Sequence, residues 1–389
     1  MFSSRLPARL DTNAFSRALA RRRAAGAALL DLTISNPTGI GISYPPAILS
    51  SLSDPRAGTY APEPLGSAEA RAAIAAAAAP AGRVIAPSQI VLTSSTSEAY
   101  ALLFKLLCDA GDSVLVPQPS YPLFEMLTRL ESVEARAYRL EYHRGWSIDR
   151  GSLERAVGPT TRAVLVVSPN NPTGSMVRSA DLDWLTSLCA ARDIALVADE
   201  VFADYPLRPR ADVCRVAGDR RALTFSLGGL SKSAGLPHIK LGWIVVSGPG
   251  DRVSEAITRL ELICDTYLSV STPAQVAAPR LIDSGKGIRA AISARLTRNL
   301  RSLERQVASF PAVALFEPEG GWSAVLRVPR TTSEEALVLR LLDEAAVVVL
   351  PGYFFDFVEE AFLVVSLLPA PEVFDTGIAR LLPIAAGAR

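Results

Sequence analysis

From about Ser88 to Val246, short β-branched runs alternate with longer stretches of helical spacing. The runs at 90–93, 113–116, 163–167, 194–198 and 241–246 are apolar at nearly every position, the pattern of strands buried on both faces. Between them, 97–107 and 180–192 place Leu, Ala and Trp at helical intervals. This alternation predicts an α/β fold with a mostly parallel sheet between layers of helix. Two turn clusters, 168–174 and 199–202, fall directly after strands, where such sheets bind ligands. Beyond about Asp251 the texture changes. Helical spacing at 253–268 and 287–307 gives way to short apolar runs at 313–316, 323–328 and 347–350, which predicts a second, α+β unit. The expected division is a large domain over 46–280 and a small one assembled from 1–45 and 281–389.

Composition narrows the function. The chain has 389 residues, a net charge of +1 and no basic excess, so neither nucleic acid nor an anionic membrane surface is an expected partner. Cys108, Cys189, Cys214 and Cys264 lie far apart without a CxxC pair, which points away from zinc and disulfides and toward a reducing cytoplasm. His143 and His238 are the only histidines, too few for a histidine metal centre. No apolar h-region follows Met1, and the alanine-rich stretch 72–80 is too short to span a bilayer, so a cytoplasmic location is expected.

Of 40 basic residues only four are lysines: Lys105, Lys232, Lys240 and Lys286. Arginine replaces lysine at most solvated positions, but its guanidinium stays charged and cannot attack a carbonyl carbon. Lys232, in the small-residue run Ser226-Leu-Gly-Gly-Leu-Ser-Lys-Ser-Ala-Gly-Leu-Pro237, is therefore a candidate Schiff-base former. Taken alone, the lysine count fits biased coding as well.

Three motifs stand in register with it: Ser168-Pro-Asn-Asn-Pro-Thr-Gly174, Asp199-Glu200 and Ser231-Lys232. In this order and spacing the chain resembles the class I/II aminotransferases, pyridoxal 5′-phosphate (PLP) enzymes of fold type I. The resemblance runs from Ser35-Asn-Pro-Thr-Gly39 to about Leu382. It implies a large domain with a mostly parallel seven-stranded sheet, a smaller α+β domain, and a homodimer with shared active sites. It also implies that an amino group passes between a small-molecule amino donor and a keto acceptor.

The resemblance assigns roles. Lys232 forms the Schiff base with the cofactor and then serves as base and acid. Asp199 keeps the pyridine nitrogen protonated, so that the ring can act as an electron sink. Tyr121, in Gln118-Pro-Ser-Tyr-Pro122, stacks on the ring and completes the catalytic group. Asn171 touches the ring oxygen and, with Gly39, the substrate. Ser95, Thr96 and Ser97 take the phosphate at a helix N-terminus. Phe202, Ser231 and Lys240 complete the cofactor contacts, and Tyr60 reaches the phosphate bound by the partner subunit. Taken singly, Asp199 also fits a helix N-cap, the serines an ordinary cap, and Tyr121 a packing aromatic.

Four positions depart from the family pattern. Phe202 stands where a tyrosine usually donates to the ring oxygen, a loss that raises the pKa of the Schiff base. Gly229 replaces a phosphate-binding serine, and Lys240 replaces a phosphate-binding arginine. Val364 stands where an arginine usually grips the substrate carboxylate, and no arginine lies between Arg340 and Arg380. A carboxylate without a partner in a dry pocket is heavily penalised. Either another cation substitutes, such as Arg327 or one from the second subunit, or the substrate is not an ordinary α-amino acid. The alternative reading is therefore a PLP-dependent lyase, decarboxylase, oxidase or cyclase. A PLP-binding regulator is disfavoured, because the residues before Ser35 leave no room for a DNA-binding domain.

Overall fold

A computed structural model describes residues 2–80, 83–218 and 220–387. Its strands are β1 (Leu30–Asp31), β2 (Ile90–Thr93), β3 (Ser113–Gln118), β4 (Glu134–Tyr142), β5 (Trp146–Ile148), β6 (Thr161–Val167), β7 (Ala195–Asp199), β8 (Thr224–Gly229), β9 (Gly242–Ser247), β10 (Ala314–Phe316), β11 (Ser323–Arg327), β12 (Val347–Val348), β13 (Leu350–Pro351) and β14 (Phe362–Ser366). The large sheet runs in the order β2-β9-β8-β7-β6-β3-β4-β5. It has eight strands where seven were expected; the eighth, β5, is a three-residue strand folded back antiparallel on the edge strand β4. The pairs β8–β7, β7–β6, β6–β3 and β3–β4 are parallel, and β9 runs antiparallel to both its neighbours.

The period of two along these strands builds two cores. Val114, Leu165, Val197 and Phe225 meet the helices Thr96–Leu107 and Gly250–Tyr267 on one face. Leu115, Val164, Val166, Leu196 and Ala198 meet Leu182, Leu185 and Cys189 of the helix Ser179–Arg192 on the other. Both faces are thus dry, which is why the strand sequences read as continuous apolar runs.

The direction of the strands gathers the functional loops. The carboxyl ends of β2, β3, β6, β7 and β8 lie at one edge of the sheet, and because β9 is antiparallel its amino end joins them. Ser95, Tyr121, Asn171, Asp199, Lys232 and Lys240 follow or precede those ends in turn.

A second sheet, β10-β11-β14-β13, belongs to the C-terminal part, and β1 near the N-terminus pairs in parallel with β12. The helix Thr272–Val307 joins the two parts in one 36-residue element, so the position 280/281 expected as a boundary lies inside it. That helix continues through Pro279 because its buried face, including Ala277, Ala278, Leu281, Ile288 and Ile292, supplies the packing. At Gly285 it has no side chain, and a Cβ there would fall 2.4 Å from the Cβ of Ala234.

Candidate active site

Asp199 closes β7 and Lys232 sits on the four-residue helix Leu230–Ser233 just beyond β8, the neighbouring strand. The Asp199 carboxylate accepts hydrogen bonds from the Tyr100 hydroxyl (3.2 Å) and the Val201 N–H (3.1 Å). Burial pushes its pKa up to about 6, against the opposing pull of Val201, Tyr100 and the Lys232 charge. Burial also holds the Lys232 pKa below its ordinary value, and the Asp199 charge opposes that shift. The two groups are thus both largely desolvated, and burial draws their pKa values together, an environment that often marks a functional site.

Aromatic rings enclose the lysine. Lys232 Nζ lies 5.1 Å from the Trp322 ring centroid and 5.8 Å from that of Phe202. The Tyr205 hydroxyl donates to the Lys232 carbonyl at 2.5 Å, and the Tyr44 hydroxyl to the Gly235 carbonyl at 2.7 Å. The second bond ties the segment after Gly39 to the lysine loop; Gly39 itself is exposed at the end of the short helix Pro37–Gly39.

The adjacent asparagines divide their work. Asn170 is buried, accepting from Ser120 Oγ (2.7 Å) and donating to the Pro119 carbonyl and Thr173 Oγ1. Asn171 is half-buried, and its Oδ1 accepts from Ser323 Oγ at 3.3 Å. Tyr121 follows Ser120, whose N–H is held by the Phe355 carbonyl (3.0 Å), and its own side chain is exposed.

The helix Thr96–Leu107 opens toward the same edge. Ser95 caps it by accepting from the Glu98 N–H, and Glu98 accepts from the Ser94 N–H. The first N–H groups of a helix have no intrahelical acceptor, so those of Thr96 and Ser97 are offered outward, an anion site in form. Gly229 and Gly242 pair across β8 and β9, and a Cβ on Gly242 would lie 3.2 Å from the Ser95 backbone. A serine at 229 would crowd this crossing: its Cβ would meet Gly242 Cα and the Leu241 carbonyl at 3.3 Å. Lys240, two residues before Gly242, has an exposed side chain and left-handed backbone (φ 58°). Ser231 is half-buried beside Lys232. Tyr60 stands apart from this group, 74% exposed on a crevice it shares with Glu63, Tyr267 and Leu268.

The Ser323–Asn171 contact orients the second sheet. Side chains two apart on a strand share a face, so Val325 faces the same way as Ser323, and the register sets Val364 opposite Val325. Both valines are buried with Phe355 and Phe362, and Phe316 and Phe357 pack against them. The position where the resemblance expects arginine is thus the centre of an apolar cluster, while Arg327 at the end of that face is exposed. Val364→Arg would bury an unpaired cation there. We expect urea unfolding to report a loss of about 3–5 kcal/mol, with no gain of affinity for carboxylates.

Sequence reasoning did not single out Tyr100, Trp322 or Ser323, and it set Tyr205 aside as near Phe202 but out of register with the usual tyrosine. The glycine pair before Trp322 was the available signal, since it lets Pro169 pack within 2.6 Å of where a Gly320 side chain would begin.

A family profile for aminotransferase class I and II matches residues 27–373. The chain belongs to that family. This aminotransferase is 28% identical over 374 residues to the alanine aminotransferase of Mycobacterium tuberculosis, a match that covers 93% of this chain and 86% of that protein. It is 28% identical over 306 residues to the glutamate-pyruvate aminotransferase AlaA of Escherichia coli, covering 76% and 74%. A solved aminotransferase from Escherichia coli superposes with a TM-score of 0.87 at 24% identity, covering 100% of this chain and 98% of that one. An alanine aminotransferase from Pyrococcus furiosus gives 0.84 at 22% identity, covering 95% of each. The structural likenesses establish the fold, and family membership establishes amino-group transfer. The lyase, decarboxylase, oxidase or cyclase alternative is not favoured. No helix among the described residues is long and apolar enough to cross a membrane.

Proposed function

We propose that this aminotransferase works with PLP held at the carboxyl ends of β6, β7 and β8, on an amino donor that presents no carboxylate to the β11–β14 face. The observation that carries the cofactor reading is the placement of two buried groups of opposite charge, Lys232 and Asp199, at the ends of adjacent strands. The donor set fits the group: an attachable amine, a carboxylate suited to a ring nitrogen, and an open helix end with hydroxyls suited to a phosphate. The indole Nε1 of Trp322 also has no hydrogen-bond partner among the described residues. When bound, the cofactor supplies an electron sink for the bond broken at the substrate carbon.

The chain's own residues do the rest. Lys232 Nζ would be the attachment point and, once released, would take the proton from the substrate carbon and pass it to the cofactor carbon that had carried the aldehyde, a task its lowered pKa suits. Asp199 holds a positive charge on the ring nitrogen, with Tyr100 and Val201 fixing the carboxylate. Thr96 and Ser97 N–H groups, the hydroxyls of Ser95, Thr96 and Ser97, and Lys240 take the phosphate. Ser231 flanks that site, and Tyr121 and Phe202 cover the ring. Asn171 and the Gly39 segment meet the substrate. Tyr60, exposed in the single chain, reaches a second copy, so the working form is a homodimer, and four free cysteines suit the cytoplasm.

The relatives' names make alanine and glutamate the natural reference donors. Single-turnover release of aldehyde or keto product from the loaded protein tests the reading. Primary amines without an α-carboxylate are expected to act at concentrations at least about ten-fold below alanine, a difference of about 1.4 kcal/mol. A ten-fold preference for alanine or glutamate would overturn the donor assignment, and no product from any donor would overturn the site.

A further inference from the structure

A buried carboxylate outside the site ties down a loop that covers one of its walls. Glu334, in the first turn of the helix Glu334–Glu344, is only 2% exposed. Its Oε2 accepts from the Tyr353 N–H (2.8 Å), and its Oε1 from the N–H groups of Ala361 (2.9 Å) and Phe362 (2.7 Å). One side chain thus closes both ends of the loop 353–361, through bonds that its charge makes stronger than neutral ones. Two backbone features belong to the same fastening. Gly352 comes so close that a Cβ would fall 2.9 Å from Glu334 Oε1 and 2.7 Å from the Phe362 Cβ. Ala361 is held at φ 103°, a conformation that residues with side chains avoid unless their surroundings impose it.

What the loop carries lies against the site. The Phe355 carbonyl accepts from the Ser120 N–H, next to Tyr121, and Phe354 meets Phe15 of the helix Ala14–Ala24 edge-on at 6.2 Å. Phe355 and Phe357 pack with Phe362, Val325 and Val364, on the strand face that begins at Ser323 and its contact with Asn171. We propose, resting on the donor reading above, that Glu334 is a positioning residue for donor selection. By fastening both ends of the loop it holds in place the apolar wall against which the side group of the donor docks. Without that grip the rings can withdraw and water can reach Val325 and Val364. An apolar donor then loses binding, whereas alanine, with only a methyl group to bury, loses little.

The test compares benzylamine and alanine as donors for the loaded protein. In Glu334→Gln the amide can still accept on one side, but its NH2 faces an N–H on the other, so one end of the loop is released. The KM of benzylamine should rise about ten-fold or more with kcat nearly unchanged, and the KM of alanine should stay, the pattern of a lost binding contact. Asp375→Asn weakens bonds to Arg298 and Ser302 that involve no residue of the loop, and serves as the control. It should lower the melting temperature without moving the ratio of the two donors. A lowered melting temperature in Glu334→Gln with an unmoved ratio overturns the positioning role, and so does a control that moves the ratio equally. If Glu334→Gln does not fold, amide hydrogen exchange of the loaded wild type decides. The unreactive analogue benzyl alcohol should slow the Tyr353, Ala361 and Phe362 N–H groups together, by about ten-fold, and unchanged rates overturn the role. A wild type that itself prefers alanine overturns the donor reading and this inference with it. A wild type that prefers benzylamine, with Glu334→Gln keeping that preference in full, overturns this inference alone.

Discussion

Lys232→Ala is expected to lower amino-group transfer by about four orders of magnitude or more, the scale seen when a covalent nucleophile is removed. No other side chain in this chain can stand in. Arginine cannot lose its proton at a working pH. Lys105 and Lys286 are engaged with Glu131 and Asp283 on the surface, and Lys240 is exposed before β9. The visible band of PLP-supplemented protein should vanish with the activity, while the far-ultraviolet circular dichroism is preserved. A variant that keeps the band would show that the cofactor attaches elsewhere or not covalently.

Asp199→Asn should separate activity from stability. The substitution removes the charge opposite the ring nitrogen and should cost about 10²–10³ in turnover, as loss of one preorganised electrostatic partner does. Stability of the cofactor-free protein should move the other way. The folded pKa is about 6 and the unfolded one about 3.9. Below the unfolded value the carboxyl is protonated in both states, and the variant has no advantage. As pH rises through 6, the wild type must ionise a buried group and loses stability. At pH 8 the asparagine form should be more stable by about 2–3 kcal/mol, read by urea unfolding at pH 4 and pH 8. Equal stability of the two proteins at both pH values would show that Asp199 is solvated. Such a gain would mean that the fold tolerates a destabilising group because the reaction needs it.

The parts of the fold that were legible are those where one physical demand fixes the residue type. Central strands such as β7 and β9 are dry on both faces, so their sequences could only be apolar. β4 was invisible because it sits near the sheet edge: Glu134–Tyr142 is mostly charged or exposed, with Tyr138 its one fully buried residue. The start of the long helix was lost to Pro279, Gly285 and Gly287, which read as breaks until the packing of its buried face is seen. β8 was masked by its own glycines, Gly228 and Gly229, whose missing side chains leave room for Trp243 and Gly242 of β9. In the site, Lys232, Asp199 and Asn171 are carried by local motifs. Trp322 and Ser323 come from the other sheet, about 90 residues further along, and Tyr100 from a helix interior. Their roles exist only after folding.

The 36-residue helix is about 54 Å of stiff rod at 1.5 Å per residue. At Gly285 its bare backbone meshes with Ala234, two residues past the lysine, like a tooth in a gear. The rod cannot turn about its own axis at that point without pushing the Leu230–Ser233 helix. Toward its other end, Asn299 grips the Leu367 and Pro369 carbonyls just beyond β14. One stiff element thus holds both the loop that carries Lys232 and the strand end that faces it, so the width of the pocket between them is set by a single helix.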